Sequence, residues 1–210
     1  MNTSKIMFSH LYFVTLLCYD EAITAREDLT MFIRKFNAQD AEKIAVLLNE
    51  HLPFQEESAQ TVLDADGIRY VCEYEDKIIG YIAGIELNDS REEMPFFERE
   101  LLTLHEKVRM NKTMYTTYLV VHPAFRGQRI GRQLVEAYMG EVKRMAQLLI
   151  VVGWVQSDTN RWDAERLFTS TGLKPYRYIR RYFEPFHVYC PNCNGNCYCD
   201  AHIHWMELNA

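Results

Sequence analysis

The chain has 210 residues, of which 48% are hydrophobic and 13% aromatic, and this suits one compact globular domain with a small appendage. Its formal net charge of −6 argues against a module that binds nucleic acid through phosphate contacts, and it tolerates a cationic substrate such as an amine. No stretch is long and apolar enough to predict a membrane-spanning helix.

Residues 1–29 are expected to form an N-terminal extension. An apolar run that ends at Cys18 follows a lysine, which faintly resembles a signal peptide, but polar residues interrupt the run and no small-residue cleavage site follows. An extra helix or strand, and a start of translation at Met31, are the other interpretations. We expect a cytoplasmic protein.

The hydrophobic patterns that follow predict an α/β chain with a mixed sheet. Strand patterns lie at 31–36, 68–74, 77–87, 114–121, 148–156 and within 173–189, and helix patterns at 40–52, 56–65, 91–110, 130–145 and 163–172. The segment LLIVVGWVQ is an almost unbroken apolar run, which is typical of a strand buried on both faces.

The stretch YLVVHPAFRGQRIG at 118–131 places two glycines and two arginines at the start of a predicted helix. The first N–H groups of a helix lack partners inside it, and the aligned peptide dipoles leave partial positive charge there. Gly127 and Gly131 carry no side chain that would block an anion, and Arg126 and Arg129 add charge suited to phosphate. The pattern predicts a pyrophosphate ligand, and an ordinary strand–turn–helix with solvated arginines is the alternative.

The segment LVVHPAFRGQRIGRQLVEAYMGEVKRM, which starts at Leu119, resembles the acetyl-CoA-binding motif of the GNAT acyltransferase superfamily. In that family a turn of the form (Arg/Gln)-x-x-Gly-x-(Gly/Ala) follows a strand. The matching positions are Arg126, Gln128, Ile130 and Gly131. Arg129 departs from the pattern, because it stands where the family has its first glycine.

Further segments at 31–50, 70–87 and 154–176 are similar to the family, so the resemblance covers roughly residues 30–185. It implies a GNAT domain at 30–187 with an α/β fold, in which a mixed, mostly antiparallel sheet has a splayed central strand pair and is flanked by helices. It also implies transfer of acetyl from acetyl-CoA to a primary amine of a small molecule or protein.

The resemblance assigns acetyl-CoA contacts to the central strand, the turn and the closing helix. These residues are Leu119, Val120, Val121, Arg126, Gly127, Gln128, Arg129, Ile130, Gly131, Arg132, Asn160 and Phe168. Phe168 stands where the family often has a tyrosine that protonates the leaving thiolate, and Asn160 is one residue off the usual spacing. Phe168 and Arg129 keep a second function open, a sensor that binds acetyl-CoA without turning it over.

Three side chains are candidates for proton transfer. Glu86 lies near the end of a predicted strand, and Tyr118 and Ser157 lie near the expected splay. A solvated carboxylate is the alternative for Glu86. The segments 51–66 and 88–112 are expected to select the substrate, since their acidic residues would attract an amine.

Residues 188–210 are expected to form a Cys/His-rich tail outside the family resemblance. The candidate metal ligands are Cys190, Cys193, Cys197, Cys199, His202 and His204. Zinc takes four thiolate or imidazole ligands, and a C-x-x-C segment around a turn supplies two of them. Six candidates exceed the four that one zinc ion needs, so some must be spare or must bind a second ion. Disulfides and a disordered thiol-rich tail are the alternatives. Neither nucleic acid nor membrane is an expected partner, and a homodimer stays open.

Overall fold

The computed structural model describes residues 31–52 and 57–208, and the expected extension at 1–29 lies outside them. A seven-stranded sheet is formed by β1 (Phe32–Lys35), β2 (Ile68–Tyr74), β3 (Lys77–Leu87), β4 (Thr113–Val121), β5 (Leu148–Val155), β6 (Lys174–Ile179) and β9 (Asp200–Glu207). A separate ribbon is formed by β7 (Tyr189–Cys190) and β8 (Gly195–Asn196). The helices are α1 (Ala41–His51), α2 (Ala59–Asp64), α3 (Ser90–Glu93), α4 (Leu102–Met110), α5 (Ile130–Met145) and α6 (Glu165–Ser170).

The strands of the sheet lie in the order β1-β2-β3-β4-β5-β9-β6, and every neighbouring pair is antiparallel except β4 with β5. That parallel pair is short, since its register runs only from Thr113 opposite Leu148 to Thr116 opposite Val151. Beyond this point β4 stays with β3 and β5 stays with β9. The central pair therefore separates, which confirms the mixed sheet with a splayed centre.

Alternating side chains divide the core between the two faces of the sheet. Leu149 and Val151 pack with α5 on one face, whereas Leu148 and Ile150 pack with α4 on the other. Helix α1 covers a third apolar cluster on β3 and β4. Burial on both faces explains why the sequence of β5 is apolar almost throughout.

Helix α5 approaches the centre of the sheet closely because β3 carries a glycine there. A Cβ atom on Gly84 would lie 2.0 Å from the hydroxyl oxygen of Tyr138, a fully buried residue of α5. The Thr116 hydroxyl donates a hydrogen bond of 3.3 Å to the same oxygen. The β3–β4 register shifts between Ala83 and Gly84, so the irregularity in the sheet coincides with the last paired residue of β4 and β5.

The expected tail needs a correction, because most of its second half is a strand of the main sheet. Strand β9 pairs with β5 over its whole length and with β6 on its other side. Ala201 and Ile203 are fully buried in the cluster that contains Leu148 and Ile150. A boundary after His187 therefore divides strands that share one sheet, and the cysteines lie in a connection between β6 and β9.

We expect Ile203→Ala to lower the free energy of unfolding by about 2–5 kcal/mol, because it removes buried methyl groups and leaves a cavity. Leu102→Ala is the matched control, since that side chain is 57% exposed and its truncation should change the stability by less than about 0.5 kcal/mol. Chemical denaturation measures both. Equal stabilities of the two variants would contradict the placement of β9 in the core.

Candidate functional site

A cleft with a volume of about 460 Å³ opens where β4 and β5 separate, a size that suits a small ligand. Residues 116–119 of β4 form one wall, and Val151, Val152 and Trp154 of β5 form the other. Because the ladder between the two strands ends at Thr116, the following residues of β4 pair with β3 on one edge and face the cleft on the other. Such an edge can pair with an extended ligand as a further strand would.

The turn after β4 forms one end of this cleft. A short 3-10 helix at Pro123–Phe125 leads to Arg126, whose Nε donates a 3.3 Å hydrogen bond to the Val121 carbonyl and whose side chain lines the cleft. Gly127 has φ 80°, a left-handed conformation that glycine adopts without strain. Helix α5 then begins at Ile130, so its first N–H groups follow the arginine closely in the chain. Of the residues from this turn to the helix start, Arg126 lines the cleft.

The backbone conformation of Arg129 explains why the family pattern has a glycine at this position. Arg129 precedes the first residue of α5 with φ 64° and ψ 11°, so its backbone is left-handed. Glycine adopts this conformation more readily than any other residue, which is the physical reason for a glycine at this position. Arginine keeps the same backbone path here at some cost in strain.

The wall formed by α6 and the chain before it is aromatic. Phe168 is 2% exposed, lines the cleft and stacks on Trp162, with 5.7 Å between the ring centroids. A phenylalanine has no proton to give, so this position offers contact only. Asn160 does not line the cleft; its side-chain oxygen accepts a 3.3 Å hydrogen bond from Tyr178.

Two of the three predicted proton-transfer residues lie elsewhere. Glu86 is about half exposed, pairs with Lys112 at 3.3 Å and does not line the cleft. Ser157 also lies outside the cleft lining, with its hydroxyl 3.5 Å from the sulfur of Cys193. Glu86 and Ser157 were predicted from their positions near the ends of strands. The direction of a side chain at such a position depends on the pairing register, which the sequence does not show.

Tyr118 does line the cleft, and its hydroxyl donates a 2.8 Å hydrogen bond to the Glu57 carboxylate. Burial, and then this carboxylate, raise the pKa of Tyr118. Its hydroxyl therefore keeps its proton near neutral pH, so it cannot act as a base, and the raised pKa makes it a weaker proton donor than a solvated tyrosine.

Glu93, at the end of α3, is a carboxylate that lines the cleft and that sequence reasoning missed as a catalytic candidate. Burial, and then the charge of Glu92, raise the pKa of Glu93, which makes it a stronger base than a solvated glutamate. Its charge in turn helps raise the pKa of Tyr115 and Tyr182, two tyrosines that line the same part of the cleft.

The four cysteines meet in the connection between β6 and β9. The sulfur atoms of Cys190, Cys193, Cys197 and Cys199 all lie within 4.8 Å of one another. All four are free thiols, and all but Cys193 are fully buried. Four sulfurs held about 2.3 Å from a zinc ion in a tetrahedron are about 3.8 Å apart, so the cluster fits a zinc site with four cysteine ligands.

Burial and hydrogen bonds act in opposite directions on the pKa values of these thiols. Burial would raise the pKa of Cys193, but hydrogen bonds from the Ser157 hydroxyl and the Tyr198 backbone outweigh it and lower that pKa to about 7. Burial raises the pKa of Cys190 and Cys197. A bound metal ion would compensate for this burial, because it deprotonates a coordinating thiol.

The cysteine site lies directly behind one wall of the cleft. Trp154, Phe183 and Val188 pack against the cysteine cluster, and the same three residues line the cleft. His202 and His204, which the sequence grouped with the cysteines, instead lie together with Glu165. The six predicted ligands thus fall into two groups, because the histidines belong to β9 and the cysteines precede it.

Comparisons with known proteins agree with this geometry. The sequence model of the Acetyltransferase (GNAT) family matches residues 33–172, so the chain belongs to this family. Among curated proteins, no sequence matches the chain significantly.

Solved structures share the fold at low sequence identity. The ribosomal-protein-S18-alanine N-acetyltransferase from Escherichia coli is 16% identical with a TM-score of 0.60, over 86% of this chain and 96% of its own. NAA60 from Arabidopsis thaliana, solved in complex with acetyl-CoA, is 14% identical with a TM-score of 0.64, over 86% of this chain and 100% of its own. An agmatine N-acetyltransferase is 16% identical with a TM-score of 0.56, over 85% and 99%. No helix in the parts of this chain that the structure describes is long and apolar enough to cross a membrane.

We expect Arg129→Gly to raise the free energy of unfolding by about 0.5–1 kcal/mol, because it relieves the left-handed strain at the start of α5. Arg132→Gly, three residues further on and inside the helix, should lower it by about 1 kcal/mol, because glycine destabilises a helix interior. Denaturant unfolding of both variants measures these opposite signs. A loss of stability in Arg129→Gly would contradict the described backbone.

Proposed function

We propose that this protein transfers the acetyl group of acetyl-CoA to a primary amine. The observation that carries the proposal is the cleft between β4 and β5, which is lined by Arg126 of the turn that leads into α5. The turn and helix start would hold the pyrophosphate through backbone N–H groups and the Arg126 guanidinium. The edge of β4 from residue 117 onward would pair with the extended pantetheine.

Gly131, the second residue of α5, has room for only a small side chain. A Cβ atom on Gly131 would lie 3.3 Å from Leu167 and 3.7 Å from Val121, so a methyl group fits with a small shift of a flexible side chain. An aspartate here would also place a negative charge at the helix start, where the pyrophosphate is proposed to bind. Val120 points to the opposite face, where it is buried in the cluster under α1, and only its backbone is available to the cofactor.

We assign the role of general base to Glu93, which replaces Glu86 as the candidate carboxylate. An acceptor that arrives as an ammonium must first release one proton to solvent, because only the neutral amine has a lone pair. The neutral amine then loses a second proton as its nitrogen bonds to the acetyl carbon and the carbon–sulfur bond breaks. Glu93 would take that proton, and its negative charge would also draw a cationic amine into the cleft. Tyr118 keeps its own proton and is the candidate donor to the departing thiolate of CoA.

The acceptor is a small molecule or a protein amino group. The similar structures include enzymes whose names state each kind, a ribosomal-protein alanine and agmatine. A panel with both kinds of amine is therefore the direct assay. Release of free CoA thiol from acetyl-CoA by the wild-type protein with at least one amine is the expected result. No release with any amine, together with retained acetyl-CoA binding, would contradict transfer and favour a sensor.

Glu93→Gln should lower kcat/KM by about 10²–10⁴-fold, because the amide cannot accept the proton. The wild-type rate should rise with pH as the carboxylate loses its proton, and the variant should lose this limb of the pH profile. Glu207→Gln is the control, since Glu207 is exposed and pairs with Lys107 away from the cleft. An unchanged pH profile in Glu93→Gln would exclude Glu93 as the base without contradicting acetyl transfer.

We further propose that the four cysteines hold a structural zinc ion. The ion would fix the connection between β6 and β9, and so the positions of Phe183 and Val188 in the cleft wall. It is assigned no part in bond making or breaking.

Cys197→Ser should reduce the zinc content of the purified protein by about one equivalent and lower its melting temperature, because it removes one of four ligands. Cys72→Ser is the matched control, a buried cysteine outside the cluster. Elemental analysis after dialysis measures both variants. Equal zinc in Cys197→Ser and Cys72→Ser would remove the cysteines as a metal site.

A further inference from the structure

Glu165, His202 and His204 form a second cluster that the acetyl-transfer scheme does not use. One ligand atom from each of the three lies within 4.8 Å of the others. Strand alternation puts both histidines on the face of β9 opposite Ala201 and Ile203, and α6 begins over them with Glu165. Two elements of the fold thus bring two imidazoles and one carboxylate together.

His204 is the strongest sign that a ligand belongs here. Its side chain is fully buried, and neither ring nitrogen has a hydrogen-bond partner among the described residues. A buried polar atom left without a partner costs about 1–3 kcal/mol, so such a residue calls for a specific explanation. The nearest carboxylate oxygen, on Glu165, is 3.9 Å from its Nε2 atom, too far for a hydrogen bond.

The other two members are open to solvent on one side. His202 Nδ1 lies 3.0 Å from the Glu165 carboxylate, and the two side chains are 23% and 42% exposed. An imidazole nitrogen that carries no proton has the lone pair that a metal ion needs.

We propose that Glu165, His202 and His204 bind a divalent transition-metal ion of the zinc class, at a site separate from the cysteines. Two imidazoles and a carboxylate are borderline donors that suit zinc or cobalt, whereas four thiolates make the softer cysteine site. Three protein ligands leave a coordination position for water on the exposed side. The ion would satisfy a nitrogen of His204 that no described protein group reaches.

Such an ion would connect α6 to β9 beneath the cleft. Trp162 lies 5.0 Å from the His204 ring and stacks on Phe168, and both Trp162 and Phe168 line the cleft. Metal binding would therefore hold the α6 wall in place. It would do so whether or not the protein transfers an acetyl group.

The test measures the metal content of the full-length protein. The protein is first stripped of metal, then loaded with Zn²⁺ or Co²⁺, and then dialysed. Glu165→Gln and His202→Asn should each bind about one equivalent less than the wild type, because each removes a ligand of the second site only. Glu207→Gln, a carboxylate-to-amide change on the same strand as the histidines, should match the wild type. Circular dichroism and the melting temperature establish that each variant is folded.

Two spectroscopic readouts tell the sites apart. Thiolate-to-cobalt absorption should persist in Glu165→Gln, since the cysteines are intact. Cobalt at the second site should quench the fluorescence of Trp162, so total quenching should be smaller in Glu165→Gln and in Trp162→Phe than in the wild type. Cobalt at the cysteines would still quench Trp154 in all three proteins. Equal metal content in the wild type and Glu165→Gln would overturn the proposal, whatever the state of the cysteine site.

Discussion

The early end of the β4–β5 ladder is the constraint on which the rest of the site depends. Each of the two strands keeps its outer neighbour over its full length, and only the pairing between them stops, after Thr116 and Val151. A buried pair, Thr116 with Tyr138, marks that point, and Gly84 gives the tyrosine hydroxyl its room. The sheet thus opens at its centre without losing its core, because α5 and α4 still cover its two faces.

The two sides of the opening differ in charge and in origin. One side carries Arg126, from the turn that leads into α5, and its positive charge favours an anion. The other carries Glu93 and the aromatic residues of the connection between β6 and β9. In the proposed reaction an anionic cofactor and a cationic acceptor would enter environments of opposite sign, and this asymmetry would orient them relative to one another.

Strand β9 serves more than one purpose in this arrangement. Its Ala201 and Ile203 complete the core, while His202 and His204 face α6 on the other side. The connection that precedes it brings the cysteines behind the cleft wall. The proposed metal ions would add to the packing of this connection and of α6, whose buried residues include Cys190, Cys197 and Phe168.

The sequence predicted the parts of the fold that have a local signal. The apolar run of β5, the amphipathic α5 and the glycine turn each carry such a signal, and the structure has them where the patterns lie. The helix predicted at 91–110 is two helices, α3 and α4, with turns between them. The separation of β4 and β5 was expected from the family resemblance alone. No residue pattern predicts it, because it depends on the register between strands that are distant in sequence.

The features that the sequence did not predict depend on contacts between residues that are distant in sequence. The pairing of β9 with β5 is a contact between segments that are distant in sequence. The alternating residues of β9 overlap the Cys/His pattern, which predicted a metal-binding tail and not a strand. Glu93 belongs to a helix of four residues, too short for a periodic signal, and only the folded chain brings it to the cleft. The partner of the histidines, Glu165, is remote from them in sequence and reaches them through α6.

The central claim is that the cleft between β4 and β5 binds acetyl-CoA with its pyrophosphate at the start of α5. Titration calorimetry of acetyl-CoA into the wild type, Gly131→Ala and Gly131→Asp tests it most directly. Gly131→Ala should bind within about tenfold of the wild type, because its methyl group meets the end of Leu167 at 3.3 Å and contacts Val121 at an ordinary distance. Gly131→Asp should remain folded and lose at least about 100-fold in affinity, since its carboxylate repels the phosphates. Binding of acetyl-CoA by folded Gly131→Asp with the affinity of the wild type would contradict the account.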